Sequence, residues 1–262
     1  GNGFRHDHSF SIPNPERAAR LGTPDACLTC HLGKAGDRVT AQFKLWDHSQ
    51  ALQAPRYDES LALIRGGQPG AAQALYEQLA RNNLPAIQRA TLLGELVNYP
   101  SEQALKLATK DLGNPAPQVR ESALRAVSAF VPPAERVTLY GPLLKDPVRA
   151  VRILAARDLL GVAAQGLGPA WEQAIGEYEN VQLSLQERAE ANLNLAMLYQ
   201  ASGRASQVEG QLRTALLRDP DFYPALVTLA QWLEANGRGE EARRLVADNL
   251  KQHPEAALLQ HT

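Results

Sequence analysis

The chain has 262 residues, 27 Lys+Arg against 28 Asp+Glu, and a formal net charge of -1. That size suits two or three compact units or one elongated repeat array, and the near-neutral balance offers no broad basic field for nucleic acid or anionic lipid. Moderate glycine and proline with an ordinary apolar share argue against wholesale disorder, and no apolar run approaches the ~20 residues needed to cross a bilayer.

Residues 1–56 differ from the rest. Pro13, Pro15, Pro24 and Pro55, with Gly22, Gly33 and Gly36, interrupt any long helix, and four of the six histidines fall here. The segment reads as irregular and loop-rich, ordered by something other than a large apolar core; a bound cofactor would serve. One short helix is expected around Val39–Trp46, with Val39, Phe43 and Trp46 on one face. The opening residues, Gly1 to His8, do not read as a signal peptide. Export would therefore imply a leader or longer N-terminal region removed from this sequence.

Residues 57–165 read as HEAT-like helical repeats. Ser60–Ile64 and Ala71–Ala80 form a helical pair across Gly66-Gly67-Gln68-Pro69-Gly70. Gln118-Val119-Arg120-Glu121-Ser122-Ala123-Leu124-Arg125-Ala126-Val127 recurs 32 residues on as Ala150-Val151-Arg152-Ile153-Leu154-Ala155-Ala156-Arg157-Asp158-Leu159, with a weaker copy at Gln88–Leu93. Pro117 and Pro147 precede the two clear copies, as suits a helix start where the missing N–H costs nothing. Each hairpin can bury only one face, so neighbours must stack.

Residues 166–262 change period. Leu195-Ala196, Tyr199, Gly203, Ala215 and Pro220 are matched 34 residues later by Leu229-Ala230, Leu233, Gly237, Asn249 and Pro254, the tetratricopeptide pattern with Asn249 in place of the usual alanine. Trp171, Ala174 and Tyr178 fall where the second helix of a preceding, degenerate repeat belongs. The expected fold is all-α: a loop-rich N-terminal segment followed by an α-solenoid of HEAT-like and then tetratricopeptide hairpins.

The chemistry sits in Cys27-Leu28-Thr29-Cys30-His31, which holds both cysteines of the chain. Covalent haem needs two thiols that can reach the two vinyl groups on one porphyrin edge, and an imidazole that reaches the iron from one face. This spacing meets both needs within about one helical turn. Cys27 and Cys30 are the expected thioether residues and His31 the proximal ligand. A structural zinc site would need a second ligand pair, and a thioredoxin-type redox pair would need a βαβ setting. The sequence offers neither.

The chain's single methionine, Met197, reads as a packing thioether inside a repeat helix. That leaves histidine as the sixth ligand, with His6, His8 and His48 as candidates; His253 and His261 read as surface side chains. Bis-histidine ligation lacks the potential-raising methionine sulfur, so a comparatively low potential is expected. Phe43 and Trp46 are candidates to pack on the porphyrin, and Arg5 and Arg17 to pair with its propionates, with solvated surface charge the default for both arginines.

The runs Asp7-His8-Ser9-Phe10-Ser11-Ile12-Pro13 and Leu21-Gly22-Thr23-Pro24-Asp25-Ala26-Cys27-Leu28-Thr29-Cys30-His31 resemble the last haem segment of doubled-CxxCH multihaem c-type cytochromes, proteins that continue into HEAT-like and tetratricopeptide repeats. The resemblance covers essentially the whole chain. It raises His8 above His6 and His48 as the distal ligand, to this haem or an adjacent one. Members carry further CxxCH motifs upstream and this sequence has none, so either it is a piece of a longer protein or a one-haem relative whose neighbours come from other subunits. In the second case His6 could reach another chain's iron.

The expected function is therefore that of an exported, periplasmic or extracellular electron-transfer cytochrome with one covalent haem c. Its repeats would dock redox partners or copies of itself, so it is expected to be a homo-oligomer, with haems stacked between subunits of an extracellular filament in the extended form. The alternative is a haem-based small-ligand sensor signalling through the repeats. Enzyme activity is not expected: there is no pocket signature, no pair of catalytic carboxylates and no second metal motif.

Overall fold

The computed structural model describes residues 14–24, 26–30, 36–46, 57–162 and 167–252. Among these residues every regular element is a helix and none is a strand, so the fold is all-α. No helix among them is long and apolar enough to cross a membrane. The chain forms two compact units, Gly1–Phe130 and Val131–Thr262.

The first unit contains α1 (Pro15–Leu21), α2 (Ala26–Cys30), α3 (Gly36–Trp46), α4 (Tyr57–Arg65), α5 (Ala71–Ala80), α6 (Ala86–Glu95), α7 (Glu102–Lys110) and α8 (Pro117–Phe130). The described part of residues 1–56 is thus mostly helical, more so than its prolines and glycines suggest. Among the described ones, Pro15, Gly22 and Gly36 sit at helix ends. Pro15 takes the first position of α1, where no N–H is needed. Asn14 Oδ1 accepts from the Arg17 backbone N–H at 2.9 Å, and Gly22 stops the helix at φ 64, a conformation that favours glycine. By the same logic α3 opens at Gly36, earlier than its apolar spacing indicates.

From α4 onward apolar packing takes over. Ile64, Leu75, Leu79, Leu92, Leu93, Leu96 and Leu124 are fully buried, and each helix packs mainly on those one or two places along the chain: α4 on α5 and α6, α5 on α6 and α7, α8 on α6 and α7. A buried ion pair, Arg89 Nε to Asp111 Oδ2 at 2.7 Å, lies within this core.

The second unit contains α9 (Pro133–Tyr140), α10 (Arg149–Asp158), α11 (Pro169–Leu183), α12 (Ala189–Ala201), α13 (Ala205–Arg218), α14 (Tyr223–Ala235) and α15 (Gly239–Gln252). Packing again follows chain neighbours, α10 on α11, then α11 on α12, α12 on α13 and α14, and α14 on α15. One apolar cluster, with Tyr178, Leu195, Leu198, Leu212, Leu229 and Leu233 at its centre, joins the later helices. The 34-residue matches occupy equivalent places. Leu195 and Leu229 are both fully buried, and Gly203 and Gly237 make the turns at φ 73 and 76.

The 32-residue matches also share a local geometry. Asn114 Oδ1 accepts from the Ala116 N–H at 3.0 Å, and Arg120 Nη1 donates to the carbonyls of Asn114 (2.8 Å) and Pro115 (3.0 Å). In the next copy Asp146 Oδ1 accepts from the Val148 N–H at 2.8 Å, and Arg152 Nη1 donates to the carbonyls of Asp146 (2.7 Å) and Pro147 (3.3 Å). In each case a short polar side chain folds the loop before the helix, and an arginine from the helix ties that loop down.

Candidate haem-attachment site

Cys27 and Cys30 stand on α2, a single turn of helix that follows the Gly22 cap and Pro24. Three residues apart on a helix means a rise of about 4.5 Å and a rotation that returns to nearly the same side. Cys30 is exposed and Cys27 half-buried, and neither is in a disulfide. Two thiols on one side of one turn, at least one open to solvent, fit the vinyl edge of a porphyrin. The turn is held between α1 and α3, which also pack on each other. On α3, Val39 and Phe43 are both half-buried, as their shared face requires; the side chain of Trp46 lies outside the described set.

All six histidines, the proposed iron ligands His31, His8, His6 and His48 and also His253 and His261, lie outside the described residues, as does Arg5. Among the described residues no group of three His, Cys, Asp or Glu side chains is placed to hold a metal ion. Met197 departs from its expected role. It is 51% exposed on α12, because that helix turns Leu195, Ala196, Leu198 and Tyr199 inward and leaves Met197 on the outer stripe.

Arg17 departs as well. It is only 6% exposed, not a solvated surface charge, and its Nε meets Asp58 Oδ2 at 3.0 Å. One turn on, Arg20 pairs with Glu59. Sequence reasoning gave Asp58 and Glu59 no role. The signal was present in the i,i+3 arginines of α1 and in two consecutive acids opening α4, but nothing local links residues that far apart.

A concavity of about 1340 Å³ lies in the second unit. Trp171, Ile175, Leu198 and the Arg204–Glu179 ion pair line it. No cysteine or histidine is among its described lining residues. No protein-family model, curated protein or solved structure matches the chain.

Proposed function

We propose that this chain is an exported c-type cytochrome that carries electrons through one covalent haem c, outside the cytoplasm. One observation carries the reading: the chain's two cysteines share a single helical turn directly before His31. Each thiol adds across a vinyl double bond, the sulfur to one carbon and the hydrogen to the other, so attachment needs no oxidant and no atom is lost. When bound, the haem supplies a one-electron couple. Cys27 and Cys30 would hold it covalently, His31 would ligate its iron, and His8 is the proposed further ligand ahead of His6 and His48.

The repeats are the docking part of this reading. Neighbour-to-neighbour packing and recurrent capping at the 32-residue and 34-residue spacings support a solenoid of HEAT-like and then tetratricopeptide hairpins, an architecture that presents extended surfaces. A single haem serves transport only when another redox centre comes close. Docked redox partners meet that need, and so do further copies of the chain, whose haems would stack in an extracellular filament. The resemblance to doubled-CxxCH multihaem cytochromes points the same way.

The test is a mass and a visible spectrum of the native protein. The expected result is the polypeptide mass plus one whole haem and a low-spin, six-coordinate spectrum indifferent to carbon monoxide. A colourless protein overturns the reading. A high-spin spectrum that carbon monoxide shifts replaces electron transfer with small-ligand sensing through the repeats.

A further inference from the structure

Among the residues between Asn14 and Trp46 whose side chains are described, Pro15, Arg17 and Ala18 are buried. Arg17 is thus a buried charge within α1, and it ties that helix to α4. Arg17 and Arg20 project from neighbouring turns of α1. They meet Asp58 and Glu59, consecutive acids in the first turn of α4. Acids are favoured at a helix N-terminus, so α4 holds both carboxylates where the arginines of α1 arrive. In turn α1 packs on α2, the turn that bears Cys27 and Cys30.

We infer that Asp58 and Glu59 form an ionic latch that holds α1, and through it the cysteine-bearing turn, in one orientation on the first helix of the repeats. The latch stands on geometry alone; only the statement that a haem is what it orients rests on the function proposed above. Its two halves differ in kind. The Arg17 side chain is almost wholly removed from water while that of Asp58 is 40% accessible, so the Asp58 charge offsets the desolvation of Arg17 and salt screens this pair less than a fully exposed one. The Arg20–Glu59 pair is largely exposed, with 62% and 33% of the two side chains accessible, and contributes little in salt. A latch of this kind orients the cysteine-bearing turn on α4, and it confines reorientation of that turn to events that break the Arg17–Asp58 pair.

The experiment is hydrogen exchange on the full-length native protein, comparing wild type with an Asp58→Asn/Glu59→Gln variant and with Asp58→Glu. Peptides covering α1 and α2 should exchange at least about tenfold faster in the double variant, because the buried Arg17 guanidinium loses the compensating Asp58 charge and Arg20 loses that of Glu59. Peptides from α8 should be unchanged, and Asp58→Glu should restore most of the protection. Unchanged exchange in α1 and α2 overturns the latch. So does a rise that spreads equally to α8, since the pairs would then be ordinary contacts of the whole unit. The visible spectrum of the same samples reports on the haem separately, so a missing haem and a missing latch are distinguishable.

Discussion

Cys27 is half-buried and Cys30 exposed, so the two thiols are not equivalent although they share a turn. Replacing either with serine should leave haem held by one thioether, visible as a shifted pyridine haemochrome band. Replacing both should leave only axial bonds, and acidified solvent should then extract the pigment. Pigment that stays with the double variant through acid extraction would remove the covalent assignment. Met197 supplies a contrast. Because it is exposed, Met197→Ala should change unfolding free energy by no more than about 0.5 kcal/mol and leave the spectrum unaltered. The cysteine pair stands out in the sequence because the chemistry proposed for it depends on spacing. Met197 and Arg17 were misread because burial depends on which face of a helix a neighbour covers. The Arg89–Asp111 pair, 22 residues apart in sequence and buried at both ends, was invisible for the same reason. Asp111→Ala strands the Arg89 charge and should cost about 3–5 kcal/mol in denaturant unfolding, whereas a cost below about 1 kcal/mol would mark the pair as solvated.

Helices here are set by their ends as much as by their apolar faces. Pro15, Asn14 and Gly22 bound α1 closely, and residues that look like breakers in a linear reading are the caps of short helices. The repeat periods were legible from sequence because they are carried by capping residues and small residues that must recur. Asn114 and Asp146 occupy matched positions, as do Arg120 and Arg152, and the hydrogen bonds repeat with them. The turns 34 residues apart make the same point through Gly203 and Gly237, whose φ values of 73 and 76 lie in the left-handed region. A Cβ at either would meet nothing within 4 Å, so the penalty for alanine is conformational and not steric. Gly203→Ala and Gly237→Ala should each cost about 1–2 kcal/mol, measurable as a drop in melting temperature. A glycine-to-alanine change with no cost would mean that the turn relaxes out of its left-handed conformation.

The period of the repeats changes near residue 165, while compactness divides the chain between Phe130 and Val131, where Pro132 and Pro133 follow the end of α8. Sequence similarity tracks the hairpin as a motif; compactness tracks where contacts thin out. The second unit is laced with ion pairs that join its helices and the turns between them: Arg152 to Glu177 at 2.7 Å, Arg204 to Glu179 at 2.7 Å, and Arg238 to Glu209 at 2.7 Å with Arg213 and Glu241 completing the last group. These pairs give that unit a definite response to acid. The Arg152 hydrogen bond holds the Glu177 carboxyl below the ordinary value of 4.5, against the opposing effect of burial. Arg238 does the same for Glu209, helped by Arg213, and both arginines do so for Glu241. A carboxylate whose pKa is lower folded than unfolded contributes stability in full above the unfolded value and loses it as pH falls through the folded one. The expected outcome is a melting temperature that is steady above pH 4.5 and falls below it as these groups take up protons. A Glu177→Gln/Glu209→Gln variant should be less stable than wild type at neutral pH, and the gap should close as the wild-type carboxylates protonate. Thermal melts of both proteins between pH 7 and pH 3 decide it, and a gap independent of pH would show that the glutamates act by packing and not by charge.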